Sequence, residues 1–339
     1  MNNRYSRQIL FSEIGKAGQK KLSEARVLLI GCGALGASHA EMLARAGVGF
    51  LRIVDRDFVE FSNLQRQTLY SESDATERLP KVIAAKNRLT EINSEIEIDA
   101  IIADVNNSNI ENILEDIDLV FDGTDNFQIR YLINDACVKL GKTWIYGAAV
   151  SSYGTSMTII PGRTPCLRCI FEEMPAAGTS PTCDTAGVIQ PIISTISAIQ
   201  VSEGLKILVG KTEKLHGSIV QVDMWENDWR KIKVGKPSED CKTCGKRVFE
   251  FLEASNRDLF TSLCGRDAVQ IRPPNSDHID LARLAALLEH LDEVKLNEYL
   301  LRFRVDGFEI TVFQDARAII RGTDDPMTAR SVYAKYIGS

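Results

Sequence analysis

Three glycines followed by a train of basic residues are the part of this chain best suited to chemistry. Gly31, Gly33 and Gly36 punctuate the turn Gly31-Cys-Gly-Ala-Leu-Gly36, directly after the apolar run Arg26–Ile30. Glycine lets backbone amides approach a phosphate closely, and a helix starting there presents unpaired N–H groups to it. Asp55 lies about 19 residues past Gly36, at the end of a second apolar run, where a carboxylate meets ribose hydroxyls. Alone, these features fit NAD. Arg66 and Lys81 further along favour ATP instead, because its β- and γ-phosphates and the departing pyrophosphate need neutralising. The four histidines (His39, His216, His278 and His290) sit in no recognisable motif, so the acid–base group of many hydride-transfer enzymes has no obvious owner.

Asp125, in Asp122-Gly-Thr-Asp-Asn126, follows another apolar run and could hold Mg²⁺ against phosphates. The competing expectation is an N-cap for the helix starting near Asn126. Cys166-Leu-Arg-Cys169 and Cys241-Lys-Thr-Cys244 supply four thiolates on two tight knuckles. Four such ligands close the coordination sphere of Zn²⁺, so the expected metal is structural. Cys183, in Thr182-Cys-Asp-Thr-Ala-Gly187, stands outside both pairs; it is either a small buried residue or a nucleophile that accepts an acyl group or sulfur. Cys32, Cys137 and Cys264 read as buried and inert.

The elements that must position these residues alternate. Strands are expected at Val27–Ile30, Phe50–Val54, Ile96–Ile102, Asp118–Phe121 and Thr143–Tyr146, with helices at Leu35–Ala46, Lys81–Ile92 and Asn126–Leu140. That order predicts an α/β fold: a Rossmann-like, doubly wound, mostly parallel sheet. An antiparallel continuation follows at Gly154–Ile160 and Ser218–Asp223, with a buried helix over Ile192–Val209 between them. From residue 247 a small α+β module is expected, with a helix over Asp280–Leu291 and a hairpin turning at Asp306-Gly307. The expected domains are 1–246 and 247–339.

Composition sets the class. The 339 residues are 44% hydrophobic and 25% charged, with a formal net charge of −6. That balance argues against a nucleic-acid partner, and no apolar run is long enough to span a membrane. No secretory signal is visible at Met1–Tyr5, and paired cysteines in a long chain suit a reducing, cytoplasmic setting.

The ordered set Arg4-Tyr-Ser-Arg7-Gln8, the glycine turn, Asp55, Ser62-Asn-Leu-Gln-Arg66-Gln67, Pro80-Lys81, Thr124-Asp-Asn126 and the cysteine pairs closely resembles the E1-like adenylyltransferases of the ThiF, MoeB and HesA type. The resemblance spans about residues 1–246. It implies adenylation of the C-terminal glycine carboxylate of a ubiquitin-like sulfur carrier, ThiS-type in thiamine thiazole synthesis or MoaD in molybdopterin synthesis. A cysteine desulfurase is then a possible sulfur donor. The resemblance places Gly31, Gly33, Ala34, Gly36, Asp55 and Asp57 around the nucleotide, joined by Ser62, Asn63, Leu64, Gln65, Arg66, Lys81, Asp125 and Asn126. It also implies a homodimer in which Arg7 reaches the partner's active site. Ala34 departs from the family pattern, which often has glycine there; alanine is small enough to keep the backbone contact. Competing expectations are an NAD(P)-dependent oxidoreductase, an ATP-dependent enzyme acting on a peptide or tRNA, and a docking scaffold without catalysis. The tail beyond residue 247 is similar to extensions on some bacillus-type members.

Overall fold

A computed structural model describes residues 3–175, 182–253, 260–263, 268–271, 279–291 and 293–338. The chain divides into two compact units, Met1–Ala254 and Ser255–Ser339. In the first, β1 (Arg26–Ile30), β2 (Phe50–Asp55), β3 (Glu97–Ile102), β4 (Leu119–Asp122) and β5 (Thr143–Val150) pair in parallel in the order β3-β2-β1-β4-β5. Then β6 (Tyr153–Ile159), β7 (Ser218–Asp223) and β8 (Asp228–Lys233) extend the same sheet antiparallel. The expected architecture is therefore present.

Alternation along β1 explains the two layers. Val27 and Leu29 join Leu51, Ile53 and Phe121 under the helices Ala34–Ala46, Lys81–Ile92 and Gln190–Leu208. Leu28 and Ile30 join Val54, Val120 and Trp144 under the helix Phe127–Leu140. Because β1 is buried on both sides it reads as a continuous apolar run. The strand order reverses between β1 and β4, so a crevice opens at their carboxyl ends, where a ligand is expected in such sheets.

The second unit is an antiparallel sheet, β9 (Phe260–Leu263), β10 (Ala268–Ile271), β11 (Lys295–Leu296), β12 (Leu300–Val305), β13 (Phe308–Phe313) and β14 (Ala318–Arg321), in the order β11-β12-β13-β14-β10-β9. Among the described residues, two helices accompany it. Asp280 caps the helix Leu281–Leu287, which stops short of the expected Leu291, and a second helix spans Pro326–Tyr336. Two short helices before β1, Ser6–Leu10 and Gly15–Glu24, and strand β8 carry no sequence signal of the kind used above. In β8, Asp-Trp-Arg-Lys-Ile-Lys is almost wholly exposed, so no buried alternation marks it.

Candidate active site

Three glycines from two loops touch at the crevice. Gly31 has φ +88°, which only glycine adopts without strain, and its carbonyl lies 1.9 Å from where a Cβ on Gly36 would sit. A Cβ on Gly123, at the end of β4, would come within 2.6 Å of the same carbonyl. The glycines thus bring the first turn of the helix Ala34–Ala46 against the β4 loop. Gly33 stands at that helix's N-cap position without a side-chain cap, which leaves its first amides for a ligand. Ala34 is half-buried and packs against the apolar cluster that contains Ile192 and Val220.

Asp55 closes the turn from the β2 side. Its Oδ2 accepts the Cys32 N–H at 2.6 Å and its Oδ1 the Asp57 N–H at 2.7 Å. Burial pushes its carboxyl above the ordinary range, Lys81 and the two amides pull it down, and Asp57 adds a further push upward. Lys81, almost fully buried at the start of the helix Lys81–Ile92, places Nζ 3.1 Å from Asp57 Oδ2. Arg56 donates to Asp104 Oδ1 at 2.9 Å and lies 3.9 Å from Asp57 Oδ1. Asp57 therefore holds two cations at the carboxyl edge, and the Lys81 charge reaches Asp55 and Cys32.

The run Ser62–Gln67 folds as a tight turn beside the glycines. Asn63 is buried and accepts the Glu60 N–H at 3.1 Å. Leu64 packs against the apolar layer, and Arg66, half-buried, donates to the Ser62 carbonyl at 2.8 Å. Gln65 donates to the Val188 carbonyl at 3.4 Å, and Ser151 bonds both Gly187 and Ile189. These bonds stitch the segment after Cys183 to the Ser62–Gln67 turn. Thr182 caps the short helix Cys183–Ala186. The Cys183 side chain and residues 176–181 lie outside the described residues.

Asp125 is exposed, and its charge is felt by Arg56 and Arg130. The N-cap expectation is corrected: Asn126 Oδ1, not Asp125, accepts the Gln128 N–H at 2.8 Å. Arg130 bonds Asp122 Oδ2 at 3.1 Å and the carbonyls of Thr124 at 2.6 Å and Gly147 at 3.2 Å. Burial opposes the charge of Arg130, but Asp122, Tyr146 and Asp125 outweigh it and raise its pKa. Sequence reasoning missed Arg56, Asp104, Gly123 and the Asp122–Arg130 pair. Only the position of Asp104, just past a strand end, offered a signal for it. Arg7 is exposed on Ser6–Leu10, a helix tied down by Gln8, which donates to Ala46 and Gln19, and by Arg4, which donates to Ile92.

The cysteine pairs converge. Sγ separations are 3.9 Å for Cys166–Cys169, 3.6 Å for Cys166–Cys241 and 3.3 Å for Cys169–Cys244, and all four sulfurs lie within 4.8 Å of one another. A tetrahedral ion with Zn–S bonds of about 2.3 Å sets sulfurs about 3.8 Å apart, so the set fits zinc. Burial and the neighbouring sulfurs push Cys166 far up and Cys244 up to about 12, while at Cys241 burial is outweighed by hydrogen bonds from the Cys244 N–H and the other sulfurs, which draw it down; a dication is what would let all four ionise together. The helix Phe127–Leu140 anchors both knuckles. Asn134 accepts the Leu167 N–H at 2.9 Å, and buried Asp135 accepts from Thr243 Oγ1 and the Phe251 N–H, each at 2.9 Å.

His39 has a structural part. Gln200 donates Nε2 to the Asp122 and Ile145 carbonyls, so its Oε1 accepts from His39 Nε2–H at 2.9 Å. Burial pushes the His39 pKa down to about 4. A depressed folded-state value means stability is full above the unfolded value near 6.5 and is lost as pH falls toward 4. Urea unfolding should therefore show His39→Gln losing less stability than the parent between pH 7.5 and 5, by about 2 kcal/mol. Equal losses in both proteins would remove His39 from the acid response.

Comparison with known proteins now decides the family. The sequence profile of the ThiF family matches residues 5–243. The chain belongs to the ThiF family. This is a family of adenylyltransferases, so the protein is an ATP-using enzyme. The chain is 44% identical over 340 residues to the sulfur carrier protein ThiS adenylyltransferase of Bacillus subtilis (strain 168), covering 100% of each. It is 35% identical over 270 residues to the sulfur carrier protein adenylyltransferase of Thermus thermophilus, covering 78% of this chain and 96% of that one. Among solved structures, Escherichia coli MccB with MccA-N7isoASN superposes with a TM-score of 0.64 at 25% identity, over 72% of this chain and 74% of that chain. No helix among the described residues is long and apolar enough to cross a membrane.

Proposed function

We propose that this ThiF-family enzyme adenylates the C-terminal glycine carboxylate of a ubiquitin-like sulfur carrier, of the ThiS type that serves thiazole synthesis. One observation carries the reading of the site: Lys81 is buried against Asp57 within electrostatic reach of Asp55 and the glycine turn. The choice of carrier is supported by the match to the Bacillus subtilis ThiS adenylyltransferase over the whole of both chains, residues 247–339 included.

In the proposed step, a carrier carboxylate oxygen attacks the α-phosphorus in line. The O–Pα bond forms, the Pα–O bond to the β-phosphate breaks, and pyrophosphate leaves with its electron pair. No proton moves, because a carboxylate is already ionised at neutral pH. Asp55 holds the ribose, the Gly33 turn holds phosphate, and Asn63, Arg66 and Lys81 hold the rest of the triphosphate. Asp125 would bind Mg²⁺, which adds positive charge between phosphates when present. Arg7 would enter the same site from the other subunit of a homodimer. Cys183 would act afterwards: its thiolate attacks the acyl-adenylate, the S–C bond of a thioester forms, the C–O bond to the phosphate breaks and AMP leaves. Zinc in the four-cysteine cluster would pin both knuckles to the helix that carries Arg130.

The deciding experiment is ATP–pyrophosphate exchange with each carrier supplied separately. Exchange is expected with a ThiS-type carrier and should vanish when its terminal glycine is removed. Exchange with a MoaD-type carrier alone would move the protein to molybdopterin synthesis, and none with either carrier would refute carrier adenylation.

A further inference from the structure

Two side chains of the turn after Asn63 reach the glycines and have no part in the chemistry above. Tyr70, buried, donates its phenol hydrogen to the Cys32 carbonyl at 2.6 Å. In a trans peptide, the carbonyl and the following N–H point opposite ways. Tying the Cys32 carbonyl inward to Tyr70 therefore turns the Gly33 N–H outward. Asp55 holds the Cys32 N–H at 2.6 Å, so the peptides on both sides of Cys32 are fixed.

Gln67 is the second side chain. It is only 4% exposed, and its buried Oε1 has no hydrogen-bond partner. Its Nε2 lies 4.0 Å from where a Cβ on Gly33 would sit, as far as the Gly123 carbonyl is from the same point. Buried carboxamides are nearly always satisfied, so an unused one beside an uncapped helix start points to an absent ligand. The turn that carries it is held by main-chain bonds on both sides. The Gln67 N–H is bonded to the Asn63 carbonyl at 3.0 Å, and its carbonyl accepts the Tyr70 N–H at 3.3 Å.

We infer that Gln67 is a nucleotide ligand. Its Nε2–H donates to a phosphate oxygen seated on the Gly33 amide, and Tyr70 is the positioning residue that keeps that amide aimed. A nucleoside phosphate fits the donor end of the carboxamide, which a phosphate oxygen takes. The inference rests on the nucleotide reading of the glycine turn and adds to it a residue that discriminates phosphate from nucleoside.

The test is calorimetric titration of the full chain with MgATP and with adenosine. Gln67→Glu, which sets a carboxylate against phosphate, should weaken MgATP at least about tenfold and adenosine by less than about twofold. Gln67→Met, which removes the donor without adding charge, should weaken MgATP in the same selective way and serves if the glutamate variant fails to fold. Tyr70→Phe should raise KM for ATP several-fold in pyrophosphate exchange while kcat stays within about twofold. MgATP affinity within about twofold of the parent in the folded Gln67 variants would overturn the assignment, as would equal losses for MgATP and adenosine. Failure of the parent itself to bind MgATP would instead bring down the nucleotide reading.

Discussion

Lys81→Ala should lower carrier adenylation by at least about 100-fold, the scale on which losing one preorganised donor to a developing charge is felt. The structure argues that the loss exceeds that of a surface cation. Lys81 is 5% exposed, so its field is little screened by water, and it is locked at 3.1 Å from Asp57. Removing it also takes away one of the two cations held by Asp57, which makes the edge more anionic where a polyanion must sit. Arg66→Ala should cost a similar factor, but its half-buried guanidinium rests on the Ser62 carbonyl and must swing to meet phosphate. The fall should appear in kcat rather than in carrier KM, because the charge being met grows in the transition state. Unchanged pyrophosphate exchange in Lys81→Ala would overturn the phosphate role. The same variant tests the dimer. Arg7→Ala and Lys81→Ala subunits, each inactive alone, should recover about a quarter of parental activity when mixed, because half the dimers then carry one intact site of two. No recovery after verified exchange of subunits would place Arg7 outside the partner's site.

Which of these residues could be read from sequence follows from how local each one's signal is. The glycine turn, Asp55 and the start of the Lys81 helix are local: each sits at a fixed offset from an apolar run whose period names the element. The Asn126 cap lay one residue from the expected one because aspartate and asparagine are equally good caps in sequence, and only geometry separates them. Arg130 looked like an ordinary helical arginine; its role comes from Thr124, just past the end of β4, and Gly147, within β5. Gln67 and Tyr70 likewise gain meaning only once the turn folds onto Cys32. The four cysteines needed no fold to be noticed, since two close pairs of thiols have few other uses. What the sequence left open was their anchorage, because Asn134 and Asp135 look like polar interruptions of a helix until both knuckles are seen to hang from them.

Withdrawing metal or replacing Cys241 by serine should destabilise the first unit by about 3–5 kcal/mol, the usual cost of removing one partner from a buried, mutually compensating ionic cluster. For a unit of this size that is a fall in Tm on the order of 10 °C. The expected order of events is specific. Asn134 and Asp135 tie the two knuckles to the helix Phe127–Leu140, and Arg130 on that helix holds the Thr124 and Gly147 carbonyls. Loss of the ion should therefore loosen the Asp122–Asn126 loop along with the knuckles, while β1, β2 and the glycine turn stay protected in hydrogen exchange. Nucleotide should still bind after mild chelation, with weakened adenylation, because the loop that carries Asp125 has lost its brace. Asp135, which burial pushes up to about 6, gives an independent readout. Its raised carboxyl lets acid protonate it early, although it accepts from Thr243 and Phe251. Asp135→Asn keeps one acceptor for Thr243 and removes the charge, so it should lower stability less than Cys241→Ser and leave metal content unchanged. A metal-free protein as stable as the parent, or a Cys241→Ser variant that melts at the parent's temperature, would mean that the core alone holds these knuckles together.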